Sequence, residues 1–258
     1  MNNITGGGFT KGLTEVCGPS SVGKTQIVLQ LLLQVQLPVE VGGLHGKAIY
    51  ISTEGEIPIS RLSSLERSYK AKYPWTHNYD FLSAVFLHTV SEVEDQVDVI
   101  MVQLPKLLQA NPDIRLVVVD SMAALLRVEF DRNQAIERAE LMQTLAAQLK
   151  LLSDVHQLVV VVVNQVAALF PEEIAVFPHL LFHSVVSSGS RVQPALGLNW
   201  AHCVNHRYML SRSDHSAARM CAGGERRGSG GGGGEGTQED SGSAVPPLRE
   251  DSSSSSSS

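Results

Sequence analysis

An α/β fold with a mostly parallel central sheet flanked by helices is what this sequence predicts, on three observations. Short apolar runs at 48–51, 116–119 and 158–163 have the composition of strands buried on both faces. Segments of helical spacing alternate with them, at 25–35, 92–110 and 136–152. A glycine-bounded turn at 18–25 joins the first strand to the first helix. Strands alternating with helices imply right-handed crossovers, and ligands in such sheets bind beyond the carboxyl ends of the strands.

Taken in order, Leu13, Thr14, Glu15, Val16 and Cys17 alternate like a strand, and residues 25–35 read as a mostly apolar helix. Between them Gly18, Pro19, Ser20, Ser21, Val22, Gly23, Lys24 and Thr25 keep the G-x-x-x-x-G-K-T spacing of a P-loop. In that setting successive backbone N–H groups and a helix N-terminus form an anion site. Lys24 is expected to reach the β- and γ-phosphates of a nucleoside triphosphate, and the Thr25 hydroxyl to hold Mg²⁺. Residues 48–51 are a short strand and 85–90 another. Val93, Val97, Ile100, Leu104 and Leu108 give 92–110 helical spacing, with a kink expected at Pro105. Residues 116–119 read as a buried strand. Ile136, Ala139, Met142, Leu145, Leu149 and Leu152 form a helix stripe expected to face the core. Residues 158–163, six apolar side chains in a row, are a further buried strand.

Each strand end carries a polar group. Asp120 ends the 116–119 run and is followed by Ser121, a Walker B arrangement suited to holding Mg²⁺ directly or through water. Glu54 follows Ser52 and Thr53 at the end of the 48–51 run. A carboxylate there can activate the water that attacks the γ-phosphate, or serve as a turn or helix-cap glutamate. Asn164 and Gln165 end the 158–163 run, where the glutamine amide can sense the γ-phosphate or the pair can simply cap the strand.

The 258 residues carry a formal charge of −6. Through Cys221 there are 17 Lys and Arg against 20 Asp and Glu, a formal −3. A general attraction for nucleic acid is excluded by that sign, so DNA binding would have to be local. Residues 1–221 are the size of one domain, and 222–258, a Gly/Ser-rich segment, read as a disordered tail or a phosphorylated or partner-binding one. Cys17, Cys203 and Cys221 form no C-x-x-C pair and suggest neither disulfides nor zinc. His202, Cys203 and His206 are expected in a strand, pointing to alternate faces, rather than as metal ligands. No signal peptide or apolar run long enough for a bilayer is visible, so an intracellular, soluble protein without membrane contact is expected.

With these groups in order, the chain resembles the RecA-like recombinases. Residues 51–55, Ile-Ser-Thr-Glu-Gly, with Arg61 and Leu62, are similar to the family's second-strand motif. Val163, Asn164, Gln165 and Val166 are similar to its glutamine switch, and 194–201 to the segment after its second DNA loop. Residues 36–44, 120–131 and 187–214 narrow the resemblance to one branch of the eukaryotic recombinase paralogues, in a plant-like form, over residues 4–220. The resemblance implies a RecA-type P-loop core, bound ATP and Mg²⁺, a role in homologous-recombination repair in the nucleus with the cytoplasm as a further location, and partnership with the C paralogue of the recombinase and the main recombinase. It casts Glu54 as catalytic carboxylate, Gln165 as switch, Asp120 as Walker B group and Arg61 as neighbour of the adenine.

The family's DNA loops would fall at 127–136 and 166–193. Arg127 and Arg132 in the first are offset by Glu129 and Asp131. Ser188, Gly189 and Arg191 in the second belong to a donor-rich stretch, expected to be flexible and suited to the phosphates of single-stranded or junction DNA. Phe170, Phe177, Leu180, Leu181 and Phe182 suit wedging between bases, covering a partner subunit or packing on the domain. The family's N-terminal helical domain and its last strands are not expected within this chain. A non-catalytic ATP-binding adaptor is the rival reading from another class; a RecA-fold motor and a P-loop kinase are further ones.

Overall fold

A computed structural model of the chain describes residues 9–130, 133–176, 184–212 and 219–225. A seven-stranded sheet is ordered β10-β9-β1-β5-β4-β2-β3. All its neighbours run parallel except β10, which pairs antiparallel with β9. In chain order come β1 (Gly12–Cys17), α1 (Lys24–Gln34), β2 (Lys47–Ser52), α2 (Ile59–Lys72), β3 (Val85–Thr89) and α3 (Val93–Asp98). Then follow α4 (Leu104–Ala110), β4 (Ile114–Asp120), α5 (Ala124–Glu129), α6 (Ala135–His156) and β5 (Val159–Asn164). An excursion holding β6 (Val166–Ala168), α7 (Pro171–Val176), β7 (Val185–Ser187) and β8 (Ser190–Pro194) comes next. The chain returns through α8 (Gly197–Cys203) to β9 (His206–Arg212) and β10 (Arg219–Glu225).

The sheet separates two apolar layers. Even residues of β1 and odd residues of β5 (Val16, Val159, Val161, Val163) meet Val28, Leu29, Leu32 and Leu33 of α1 and Leu62 and Leu65 of α2. The opposite faces (Leu13, Val160, Val162) meet Met142, Leu145, Leu149 and Leu152 of α6, with Ile100, Leu104, Leu108 and Trp200. The period of two in each strand thus assigns helices to both faces, and burial on both faces explains the unbroken apolar runs.

The structure revises the sequence reading at several places. The 92–110 helix is not one α-helix: a π-helical turn, Val99–Gln103, joins α3 to α4 directly before Pro105, and in it the Leu104 N–H bonds to the Val99 carbonyl. Proline lacks the N–H for an ordinary helical bond and crowds the preceding turn, and the wider turn just upstream relieves this. Ile136 is not in the core but 73% exposed: it lies in the first turn of α6, before the helix reaches the sheet. His202 and Cys203 end α8 rather than lying in a strand with His206, which opens β9. Ser188 and Gly189 form the tight turn between β7 and β8, with φ of 50° and 74°, and Arg191 lies within β8. In addition, β10 runs to Glu225, four residues past the domain limit read from composition.

Candidate functional site

The strand ends that matter lie on one edge of the sheet. Cys17 stands opposite Asn164, and Ser52 opposite Asp120. Gly18 therefore starts its loop beside Gln165 and Asp120, and β2 delivers Thr53 and Glu54 to the same edge. Gly18 is required sterically: a Cβ there would stand 2.6 Å from the Leu210 carbonyl oxygen of β9. Gly23, with φ 105°, makes the left-handed step into α1 that a side chain would resist. The loop from Gly18 to Thr25 thus needs both glycines to turn from β1 into α1.

Lys24 Nζ donates to the carbonyls of Gly18 at 2.8 Å and Pro19 at 2.9 Å, so the ammonium lies along the loop's own rim. Burial lowers its pKa, and the charges of Asp120 and Glu54 oppose that. Thr25 Oγ1 donates to Asp120 Oδ2 at 3.0 Å, which brings the two expected Mg²⁺ ligands together across β1 and β4. The hydroxyl of Tyr50 donates to the same oxygen at 2.9 Å. Burial raises the pKa of Asp120, the Tyr50 and Thr25 hydrogen bonds pull it down, Glu54 raises it and Lys24 lowers it. Burial, followed by the Asp120 carboxylate, raises that of Tyr50.

Glu54 is exposed, and its Oε1 accepts two bonds, from Ser121 Oγ at 2.8 Å and from Gln165 Nε2 at 3.0 Å. The ends of β2 and β4 are locked beneath it: Thr53 Oγ1 donates to the Ser121 carbonyl at 2.5 Å and accepts from the Ser121 N–H at 3.0 Å. Arg61, on α2, donates through Nε to Gln26 Oε1 at 2.7 Å, beside the start of α1. Arg127 lies in the last turn of α5, and burial first, then Arg138, lowers its pKa against the pull of Glu54. Arg132 lies outside the described residues, as do Phe177, Leu180, Leu181 and Phe182 of the second loop. Arg191 is in β8 and donates to Ser184 Oγ at 3.1 Å, while Ser188 and Gly189 are the hairpin tip.

Two residues at this edge were not singled out from sequence: Tyr50, which donates to Asp120, and Arg212, whose Nη2 reaches the Ser21 carbonyl at 2.9 Å. The bond from Ser121 to Glu54 was not foreseen either. Tyr50 had a legible signal: a phenol in a doubly buried strand must find a partner for its hydroxyl. The others had none, because their contacts cross between distant segments. A cavity of about 200 Å³ beside Lys47, Tyr79 and Asp113 lies at the opposite ends of β2 and β4 and shares no residue with this edge. Among the described residues no group of three His, Cys, Asp or Glu could hold a metal ion by itself.

A family model described as Rad51 matches residues 1–221. The chain is 34% identical over 229 residues to a DNA repair protein XRCC3 homolog of Arabidopsis thaliana, covering 84% of this chain and 74% of the relative. It is 35% identical over 219 residues to the DNA repair protein XRCC3 of Mus musculus, covering 83% of this chain and 61% of the relative. It is 39% identical over 175 residues to the DNA repair protein RAD57 of Saccharomyces cerevisiae, covering 64% of this chain and 36% of the relative. The chain thus spans less than two thirds of the mouse and yeast proteins.

Proposed function

This chain belongs to the Rad51 family, and from that premise we propose that it is an ATP-binding recombination paralogue acting in homologous-recombination repair of DNA double-strand breaks. On this reading it helps the main recombinase assemble on DNA and processes joint or four-way-junction DNA, inside a nuclear complex that contains the C paralogue. No described helix is long and apolar enough to cross a membrane.

The observation that carries the reading is the meeting of Lys24, Thr25, Asp120, Glu54 and Gln165 from four separate segments at one sheet edge. Thr25 Oγ1 and Asp120 Oδ2, 3.0 Å apart, are hard oxygens of the kind Mg²⁺ takes, so the residues fit that ion. Bound there, Mg²⁺ would neutralise charge on the β- and γ-phosphate oxygens. The backbone N–H groups of residues 20–25 would bind the phosphates, and Lys24 would exchange its contacts with the Gly18 and Pro19 carbonyls for phosphate oxygens. Glu54 holds its Oε1 against Ser121 and Gln165, which leaves Oε2 to orient the attacking water and receive its proton. Gln165, at the head of the excursion, reports on the γ-phosphate by keeping or leaving Glu54.

The test is ATP turnover by the full chain, alone, with single-stranded DNA, and with the C paralogue. Slow turnover that rises with DNA and disappears in Glu54→Gln is expected, with nucleotide binding retained in that variant and lost in Lys24→Ala. Lys24-dependent binding without turnover in any condition would instead support the adaptor. Absence of Lys24-dependent binding would overturn both.

A further inference from the structure

Glu15 is a charge in the middle of the sheet, 0% exposed, on the face opposite α1. Its Oε1 accepts from Asn164 Nδ2 at 2.7 Å and from Trp200 Nε1 at 2.9 Å. Its other oxygen pairs with the guanidinium of Arg207, which stands directly opposite in β9. The two Oε1 donors have a topological meaning. Asn164 is the last residue of β5, where the 165–199 excursion leaves the sheet, and Trp200 is in α8, where the chain has come back. One carboxylate oxygen therefore holds both ends of the excursion. The strand that carries it reaches Gly18 of the P-loop three residues later.

The hairpin of the excursion is tied to the same region. The Arg212 N–H donates to Ser187 Oγ at 3.1 Å, its carbonyl accepts from the Ser188 N–H, and its guanidinium reaches the P-loop at Ser21. The buried cluster also has two leftovers: Asn164 Oδ1 and Arg207 Nη2 are buried without a partner. They are complementary, an acceptor and a donor, and lie on β5 and β9, the two strands that flank β1. A second arrangement that satisfied both would make the network the two-state element that coupling between sites requires.

We propose that Glu15 is a positioning residue that holds Asn164 and Trp200 to the P-loop strand, so that nucleotide occupancy sets the position of the β7–β8 hairpin through the Glu15–Asn164–Trp200–Arg207 cluster. The inference rests on the nucleotide-binding reading above. It adds a route through the interior of the sheet to the surface contact between Gln165 and Glu54. The ligand at one end is a nucleoside triphosphate; what responds at the other is the β7–β8 hairpin with Arg191.

The chain has two tryptophans, and the second, Trp75, is 51% exposed and far from this cluster in sequence. In full-length Trp75→Phe protein Trp200 is the sole tryptophan, so its emission reports on the clamp. Titration with a slowly hydrolysed ATP analogue and Mg²⁺ is expected to shift Trp200 emission with the same midpoint as independent displacement of a fluorescent nucleotide. Analogue bound while Trp200 stays silent overturns the clamp and leaves the nucleotide reading intact. No displacement at all overturns both.

A second measurement avoids any change in buried charge. Trp200→Phe deletes one donor and keeps an aromatic ring. Tryptic cleavage after Arg191, followed by mass spectrometry of full-length protein, is expected to slow on analogue binding by at least about fivefold, the lower range of ordinary site-to-site coupling. That protection is expected to vanish in Trp200→Phe at saturating analogue, with analogue affinity changed by no more than about the same coupling factor. Protection that survives the substitution in full, or cleavage indifferent to nucleotide in the parent protein, overturns the proposal.

Discussion

Single residues at the sheet edge show how polar groups in this protein are held by partners from distant segments. Asp120 is 5% exposed and receives hydroxyl donors from both Tyr50 and Thr25. Tyr50→Phe removes one donor from a buried acceptor and is expected to cost about 1.5–3 kcal/mol in urea unfolding, the range for hydrogen bonds to charged groups. Breaking the Glu15–Arg207 pair is expected to cost more. Arg207→Met leaves an uncompensated buried carboxylate, for which about 3–5 kcal/mol is typical, and the same unfolding experiment measures it. Tyr69 gives a pH dependence. Burial, followed by Tyr73, pushes its pKa up to about 12 from an ordinary 10.0. The fold prefers the neutral phenol, so this contribution is complete below the unfolded pKa near 10.0 and is lost as pH rises through about 12. Thermal unfolding between those limits is expected to be less pH-sensitive in Tyr69→Phe than in the parent.

At the scale of elements, α6 shows what a sequence stripe does and does not say. Its apolar positions recur at helical spacing from Ile136 to Leu152, yet Leu149 is 0% and Ile136 73% exposed. Leu149→Ala is expected to cost about 2–5 kcal/mol, as a large-to-small change in a packed core does. Ile136→Ala is expected to stay within about 0.5 kcal/mol, as surface changes do. Equal losses in denaturant melts would mean that the first turn of α6 packs after all. The excursion makes a related point. Its sequence reads as a loop, but β8 pairs with β6 and β7 and places the Ser188–Gly189 tip against Arg212. Three-residue strands carry too little periodicity to be read from sequence, and only their pairing defines them.

For the whole molecule, charge sets the expectation for DNA. The residues through Cys221 carry 17 basic against 20 acidic side chains, and Arg127 is a partly desolvated cation beside Arg138 rather than an isolated one. Single-stranded DNA is therefore expected to bind the isolated chain weakly, at micromolar concentration or above in about 0.15 M salt, with a shallow salt dependence. Affinity is expected to rise when a partner paralogue is added. Fluorescence anisotropy across a salt titration checks this, and nanomolar binding by the chain alone would contradict it.

The α/β class, the P-loop, and the strand-end positions of Glu54, Asp120 and Gln165 were all legible in the sequence. Each depends on local spacing: an eight-residue motif, a run of apolar residues buried on both faces, or a polar residue where such a run stops. The pairing of those groups was not legible. That Ser121 and Gln165 share one oxygen of Glu54, that Tyr50 and Thr25 share one of Asp120, and that Glu15 takes both ends of a long excursion are contacts across 67 to 185 residues of chain. Parallel strands brought side by side by crossover helices decide such contacts. Their register fixes which strand ends coincide, and no spacing along the chain encodes that register.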